Sequence, residues 1–91
     1  MFYVYILENP RNRFYVGQTD DLQRRLAEHN DSSLAGTKYT VKEGPWRLVW
    51  SEAHATRAEA MRRERFIKSR KSATWICRQL LGRASPDARR D

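Results

Sequence analysis

Cysteine, glycine and proline are all scarce in this chain of 91 residues, which has one cysteine, four glycines and three prolines. The single cysteine, Cys77, excludes an internal disulfide and a metal site built from several thiolates, and it suits a reducing cytoplasm. No apolar run is long enough to cross a membrane, and the apolar start over 1–7 lacks the basic residues that open a signal peptide. We therefore expect one small cytoplasmic domain without a membrane segment.

Acidic residues are outnumbered as well: 18 lysines and arginines stand against 11 aspartates and glutamates, a formal net charge of +7. An excess of positive charge on so small a domain favours a polyanionic partner, foremost a nucleic acid. From charge alone, the alternative that the protein is merely basic stays open.

Two aromatic and β-branched runs near the amino terminus predict a β-hairpin, FYVYIL over 2–7 and RFYVGQ over 13–18. The turn signal between them centres the hairpin near Pro10, which places Tyr5 opposite Tyr15. The same register gives the pairs Tyr3–Gly17 and Val4–Val16. Because side chains alternate along a strand, the two tyrosines share one face. The other face then carries an apolar set, Phe2, Val4, Ile6, Phe14 and Val16.

The next segment predicts a helix on which Arg25 and His29 share a stripe with the two leucines, Leu22 and Leu26. Thr19 is the expected N-cap of this helix. Because the leucines must face the sheet, both polar side chains point into the core or along its edge. Burying such groups is costly unless something pairs with them.

A third strand and further helices complete the predicted architecture. The run PWRLVWSEAH over 45–54 alternates and predicts the strand that completes an antiparallel sheet. Ser72 predicts the N-cap of a last helix that ends at Gly82. The predicted fold class is α+β, a small three-stranded antiparallel sheet flanked by three helices in the order β-β-α-β-α-α. We assign residues 1–82 to this domain and 83–91 to a flexible polar tail.

The helix before Ser72 carries an acidic residue of interest, Glu64. A capping box, Thr56-x-x-Glu59, starts this helix, which runs to about Arg70. Its predicted buried stripe consists of Met61, Glu64, Ile67 and Lys68. Glu64 has two interpretations: it forms an ion pair with Lys68 one turn on, or it is the lone acidic ligand of a divalent cation.

These residues together resemble the GIY-YIG nuclease family, and most closely its small stand-alone bacterial members with a single domain. The resemblance covers Tyr-Val-Tyr at 3–5, Tyr-Val-Gly at 15–17 and the string Gly17-x-Thr19-x-x-Leu22-x-x-Arg25-x-x-x-His29. The run Glu64-Arg65-Phe66-Ile67-Lys68 is similar to the segment around the family's metal-binding glutamate. The fold that the resemblance implies is the GIY-YIG endonuclease fold.

The chain departs from the family pattern at three points. Tyr3 stands where the name-giving glycine would be, and Val4 stands for isoleucine. Many members carry an asparagine in a later segment that supports the site, and the chain has none after Asn30.

The resemblance implies a metal-dependent endonuclease whose catalytic residues are Tyr5, Tyr15, Arg25, His29 and Glu64. Glu64 would bind one Mg²⁺ or Mn²⁺ ion, and Arg25 would hold the scissile phosphate. One tyrosine would take the proton of the attacking water and the other would orient that water; which does which stays open. His29 would hydrogen-bond the water or a tyrosine. Gly17 permits close approach of the backbone, and Thr19 caps the helix that holds Arg25.

The expected nucleic-acid contacts lie in the polar loop after Asn30 and on the helix of Glu64. The loop string Gly-x-Lys-Tyr-Thr over 36–40 also resembles the stand-alone members, and Lys38 and Tyr39 would hold a phosphate and stack on a base. The helix adds basic residues that we expect to bind the backbone without reading sequence, Arg62, Arg63, Arg65 and Lys68. Of these, the three arginines are expected to lie in solvent, whereas Lys68 shares the stripe of Glu64.

We therefore expect cleavage or nicking of DNA with little sequence specificity, in repair or recombination, with RNA as an open alternative. Two rival hypotheses are a nucleic-acid-binding module that does not cleave, and a subunit that a protein partner activates.

Overall fold

The structure, a computed structural model, describes residues 1–30, 45–70 and 72–82. Its elements are β1 (Phe2–Glu8), β2 (Phe14–Thr19), α1 (Leu22–Asn30), β3 (Arg47–His54), α2 (Arg57–Arg70) and α3 (Ala73–Trp75), which continues into a π-helical segment (Ile76–Leu81). The strands form one antiparallel sheet in the order β2-β1-β3. The predicted α+β class, with three antiparallel strands and three helices, is confirmed. Within the described residues, no helix is both long and apolar enough to span a bilayer.

Strand β1 lies in the middle of the sheet and is covered on both faces. Val4 and Ile6 point to one face, where they belong to a buried cluster that includes Val16, Ala60, Ile67 and Ile76. Tyr5 and Leu7 point to the other face, where they cluster with Trp46 and the leucines of α1, Leu22 and Leu26. One strand therefore positions α2 on one face and α1 on the other.

The register of the hairpin differs from the predicted one by two residues. Tyr5 lies opposite Gly17 instead of Tyr15, and Tyr15 lies opposite Leu7. The other predicted pairs are replaced as well, by Tyr3–Thr19 and Ile6–Val16. Because a shift by two preserves the alternation, every side chain stays on its predicted face.

The turn explains this shift, because it is built around Asn9 and Asn12. The Asn9 N–H donates to the Arg13 carbonyl at 3.1 Å, and the Asn9 side-chain oxygen accepts from the N–H groups of Arg11 and Arg13 at 3.0 and 2.9 Å. Asn12 takes a left-handed conformation with φ 62°, which asparagine tolerates better than most residues. The resulting three-residue loop centres the hairpin on Arg11, one position beyond Pro10.

Helix α1 is capped by Asp21, and the prediction of Thr19 as its N-cap is wrong. Thr19 is the last residue of β2, and its hydroxyl oxygen accepts from the Asp21 N–H at 3.1 Å. The Asp21 carboxylate in turn accepts from the Arg24 N–H at 3.0 Å, the contact that defines an N-cap. Thr19 therefore shapes the turn that leads into α1.

Helix α2 begins at the predicted capping box but buries a different stripe. The Thr56 hydroxyl accepts from the Glu59 N–H at 3.2 Å. The buried positions are Ala60 and Ile67, which lie seven residues apart and hence nearly above one another on a helix. Met61, predicted on the buried stripe, is 40% exposed, because it lies about 100° around the helix from Ala60.

Strand β3 begins at Arg47, two residues later than predicted, and contains a bulge. Ile6 pairs with Trp50 and Leu7 pairs with Leu48, so that Val49 is the additional residue. The bulge breaks the predicted alternation, and Val49 and Trp50 both pack against the cluster on the α2 face.

The last helix has its predicted caps. The Ser72 hydroxyl accepts from the Trp75 N–H at 3.1 Å, and Gly82 ends the helix in a left-handed conformation with φ 64°. The Gly82 N–H donates to the Cys77 carbonyl, five residues back, as the wider π-helical turn requires. The predicted tail over 83–91 lies outside the described residues.

Truncation of Ile67 tests the buried stripe of α2. Ile67 is 1% exposed, and Ile67→Ala is expected to lower the free energy of unfolding by about 2–5 kcal/mol through lost burial and a cavity. Met61→Ala is the matched control on the same helix, and we expect it to cost less than about 1 kcal/mol. Urea unfolding measures both; equal losses in the two variants would contradict this stripe.

Candidate active site

The hydroxyl of Tyr5 is the point where two elements of the candidate site meet. The Tyr5 Oη lies 3.1 Å from His29 Nε2, and the Arg25 Nε–H donates to the same oxygen at 3.3 Å. Both partners come from the inward stripe of α1, as the sequence predicts. The Arg25 proton occupies a lone pair of this oxygen, so the phenol can donate its own proton to His29 when Nε2 is unprotonated.

Gly17 leaves room for the Tyr5 ring, because it has no side chain. The two residues are paired across β1 and β2, and the Tyr5 ring lies against the Gly17 backbone. A Cβ atom on Gly17 would lie 2.6 Å from Tyr5 Oη and 2.8 Å from Cζ, closer than real contacts permit. Absence of a side chain at Gly17 is therefore a condition for the hydrogen bonds of the Tyr5 hydroxyl.

Tyr15 joins the same cluster through its ring. Its centroid lies 6.3 Å from that of Tyr5 and 4.6 Å from that of His29, the latter in an edge-to-face arrangement. Trp46 supports the other side of Tyr15, again edge to face, at 6.3 Å. The structure thus brings together four of the five predicted catalytic residues, Tyr5, Tyr15, Arg25 and His29.

The electrostatics keep Tyr5 neutral and Arg25 charged. Burial raises the pKa of Tyr5 to about 12; the charges of Tyr15 and Glu64 add to this effect, whereas the hydrogen bond and charge of Arg25 oppose it. The hydrogen bond to Tyr5 raises the pKa of Arg25 above its ordinary value, and a second one to Glu28 adds to the rise. Tyr5 therefore remains a phenol at neutral pH.

Glu64, the fifth predicted residue, lies between Ala60 and Ile67 on the face of α2 that is turned to the sheet. Its side chain is 19% exposed, and its carboxylate binds the Lys68 ammonium at 2.6 Å. This is the ion pair that the sequence offers as one of two interpretations. Its negative charge makes only a small contribution to the raised pKa of Tyr5, which is due mainly to burial.

Glu64 could hold a divalent cation only if water and substrate supplied the remaining ligands. Among residues 1–30, 45–70 and 72–82, no group of three or more histidines, cysteines and carboxylates could enclose a metal ion. Mg²⁺ can be held by one carboxylate when waters and substrate phosphate oxygens complete its shell. The oxygen chemistry of Glu64 suits such an ion, and binding would replace the contact with Lys68.

The predicted nucleic-acid contacts on α2 fall into two groups. Arg62, Arg65 and Lys68 are exposed. Arg63, which we expected in solvent, is half-buried: its Nε–H donates to Glu52 at 3.0 Å, and its guanidinium lies 6.0 Å from the Trp50 ring centroid. Arg63 joins α2 to β3 because it flanks the buried stripe. Lys38 and Tyr39 lie outside the described residues.

Sequence reasoning missed two residues that hold the cluster in place, Glu28 and Asn30. The Glu28 carboxylate accepts from Arg25 at 3.0 Å, a pair whose i, i+3 spacing is visible in the sequence. The Asn30 side chain accepts from the Trp46 N–H at 2.7 Å and donates to the Trp46 carbonyl at 2.8 Å. No sequence pattern indicates this second contact, because it joins α1 to the residue before β3.

The raised pKa of Tyr5 predicts how stability depends on alkaline pH. Between pH 10 and about 12, the unfolded chain loses the Tyr5 proton while the folded protein keeps it. The free energy of unfolding contributed by this group is therefore fully present below pH 10 and falls as the pH rises toward 12. We expect Tyr5→Phe to remove this part of the slope in urea unfolding at a series of pH values. An identical slope in the variant would contradict the assignment.

Substitution of Gly17 tests the contact with the phenol. In Gly17→Ala the new methyl group must push the Tyr5 ring outward, so the pKa of Tyr5 is expected to fall from about 12 toward the ordinary 10.0. Ultraviolet titration of the tyrosines measures this, with Tyr5→Phe to identify the signal. Gly82→Ala is the matched control, because its cost is backbone strain with no atom within 4 Å of the new Cβ. If both glycine variants leave the titration of Tyr5 unchanged, the contact does not control the phenol.

Comparisons with known proteins point to one family. The family model of the GIY-YIG catalytic domain matches residues 1–76. The chain is 44% identical over 68 residues to a UPF0213 protein of Halobacterium salinarum, which covers 75% of this chain and 86% of that protein. It is 39% identical over 69 residues to a UPF0213 protein of Streptococcus pneumoniae, covering 76% and 68%.

A solved structure is similar as well, the solution NMR structure of the UPF0213 protein BH0048 from Bacillus halodurans. The TM-score is 0.50 at 40% identity, over 87% of this chain and 86% of that one. The matched residues 1–76 contain every residue of the cluster around Tyr5 as well as Glu64. The chain therefore belongs to the GIY-YIG family.

Proposed function

We propose that this protein is a nuclease that hydrolyses phosphodiester bonds of DNA with the help of one Mg²⁺ or Mn²⁺ ion. The observation that carries the proposal is the cluster in which Arg25 and His29 converge on the Tyr5 hydroxyl, at 3.3 and 3.1 Å. Phosphodiester hydrolysis requires a group that accepts the proton of water and a cation that binds the phosphate, held a short distance apart.

Arg25 is the group that binds the scissile phosphate. Its guanidinium is permanently charged and planar, so it can offer two N–H groups to two phosphate oxygens. The Nε–H is directed to Tyr5, and the terminal nitrogen is directed to Glu28, whose carboxylate a phosphate would displace.

The pair of Tyr5 and His29 provides a route for the proton. A phenol with a pKa near 12 is not ionised at neutral pH, so Tyr5 does not act as a preformed phenolate. It can accept the proton of water while it passes its own proton to His29 Nε2, and Arg25 stabilises the negative charge that develops on the oxygen. Tyr15, less buried than Tyr5, then orients the water. We therefore propose Tyr5 as the base and Tyr15 as the residue that orients the water.

Glu64 is the residue that would hold the metal ion. When bound, such an ion supplies positive charge that stabilises the leaving oxygen. The Lys68 ammonium, displaced from Glu64, is then available to a neighbouring phosphate.

The substrate and setting belong to the same proposal. The net charge of +7 and the exposed side chains of Arg62 and Arg65 support binding of the nucleic-acid backbone without strong sequence preference. Lys38 and Tyr39 would add a phosphate contact and a stacking contact. We place the activity in the cytoplasm and in DNA repair or recombination, with RNA as the alternative substrate and with a protein partner as an open question for experiment.

A second candidate function is a module that binds nucleic acid and does not cleave it. The observation that favours it is the ion pair between Glu64 and Lys68 at 2.6 Å, which already satisfies the carboxylate. This candidate predicts salt-dependent binding that survives Glu64→Gln in a protein without activity.

Nicking of supercoiled plasmid in Mg²⁺ or Mn²⁺ tests the nuclease. We expect the wild type to convert the plasmid to its open circular form, and Arg25→Ala and Glu64→Gln each to lower the rate by about 100-fold or more. Matched controls are Arg24→Ala, the neighbouring exposed arginine of α1, and Glu59→Gln, an exposed carboxylate of α2. Both controls should cleave at the rate of the wild type, and addition of EDTA should stop the reaction.

The outcome separates the two candidates. Plasmid that stays supercoiled with every protein, together with salt-dependent binding by all of them, would refute the nuclease and favour the binding module. Nicking that Arg25→Ala and Glu64→Gln leave unchanged would refute the proposed site.

A further inference from the structure

An open cleft of about 480 Å³ lies along the edge of β2, beside the candidate site. One wall is β2 with the end of the hairpin, and the other is formed by the end of α2 and the start of α3. Two of its lining residues also belong to the site or contact it: Tyr15, whose ring packs on His29, and Lys68, which binds Glu64. The cleft therefore adjoins the residues between which the proposed function places a phosphodiester.

The lining of the cleft combines aromatic and aliphatic side chains with two exposed cations. The aromatic and aliphatic walls come from Phe14, Tyr15, Trp46 and Ile76, and the cations come from Arg13 and Lys68. No residue that lines the cleft in the described part of the chain carries a carboxylate. Both cations are exposed, and Lys68 retains 52% of its side-chain surface. A lining that is mainly aromatic and aliphatic, with two cations and the polar side chains of Asn12 and Ser72, is complementary to a flat, uncharged group attached to a phosphate.

We infer that this cleft binds the base of a nucleotide next to the scissile phosphate, turned out of its stack. This inference rests on the proposed function for the position of the phosphate. The volume of about 480 Å³ falls within the range of small-molecule sites, roughly 300–1,000 Å³. The base lies against the aromatic wall, while its own and the adjoining phosphate contact Lys68 and Arg13. Recognition by stacking accepts any base, in agreement with the low sequence specificity that we propose.

The first experiment combines a protein variant whose side chain fills the cleft with an oligomer that lacks bases. Ala73 lines the cleft and has no part in the proposed chemistry, so Ala73→Phe occupies the space of the base. Ala58→Phe is the matched control, an exposed alanine of α2 away from the cleft. The probes are a fluorescent 12-nucleotide oligodeoxyadenylate and a 12-nucleotide oligomer of the same sugar-phosphate backbone with every base absent.

We expect Ala73→Phe to weaken binding of the oligodeoxyadenylate by about 5-fold or more and to bind the abasic oligomer like the wild type. Unchanged binding of the abasic oligomer also indicates that the variant is folded. Ala58→Phe should bind both oligomers like the wild type. If Ala73→Phe changes neither affinity, or both equally, the cleft does not hold a base; it then suits an apolar side chain of a protein partner instead.

A second measurement needs no variant. Titration of the wild type with deoxyadenosine 5′-phosphate should shift the amide NMR signals of Ala73 and Ile76, whereas 2-deoxyribose 5-phosphate should leave them unchanged. Equal effects of the two compounds would overturn the inference.

Binding and cleavage are judged separately in these experiments. Loss of affinity for the oligodeoxyadenylate in Ala73→Phe, together with no nicking of plasmid by the wild type, would refute the nuclease and retain the base site. Nicking of plasmid by the wild type, together with unchanged binding of both oligomers by Ala73→Phe, would retain the nuclease and refute the base site.

Discussion

The Tyr5 ring packs directly against the backbone of Gly17, and the arrangement of the candidate site depends on that contact. A Cβ atom at this glycine would meet the hydroxyl at 2.6 Å, so only glycine leaves the oxygen where His29 and Arg25 can reach it. Tyr5 and Gly17 of the hairpin thus fix the position of the hydroxyl that Arg25 and His29 of α1 contact. Arg25 and His29 reach this oxygen because Leu22 and Leu26, on the same stripe of α1, pack on the face of the sheet that carries Tyr5.

The same strand connects this point to the far face of the sheet. Val4 and Ile6 pack against Ala60 and Ile67 of α2, and Glu64 lies between those two helical residues. Alternation along β1 therefore directs the phenol to one face while its apolar neighbours hold the helix of the carboxylate on the other. Strand β1 therefore contributes both to the core that stabilises the domain and to the arrangement of the charged side chains. A core substitution on the α2 face can consequently alter the site without touching it.

For the hairpin and α1, the sequence predicts which side chains share a face but not which residues pair across the two strands. For α2 and β3 it also misplaces some side chains, such as Met61 and Val49. The period of two in a strand places Tyr5 and Tyr15 together, and the period of a helix brings His29 to them, whatever the register. Register itself depends on the left-handed conformation of Asn12, a local preference that competes with the more visible turn signal at Pro10. Contacts between side chain and backbone across elements, such as those that fix Trp46, leave no periodic pattern. The roles of the residues, as distinct from their positions, come from the family resemblance and remain proposals.

Both charged groups that would meet a substrate already have internal partners. Arg25 binds Glu28 at 3.0 Å and Glu64 binds Lys68 at 2.6 Å, so neither charge lies unpaired at the edge of the core. Ion pairs that reach solvent contribute only about 0–1 kcal/mol, so an incoming phosphate can replace Glu28 at small cost. That exchange leaves the Glu28 carboxylate in water, and a metal ion on Glu64 would likewise leave the Lys68 ammonium available to a phosphate. Under the proposed function, the affinity for a polyanion therefore depends on the difference between the ion pairs that its phosphates form and the internal ion pairs that they replace.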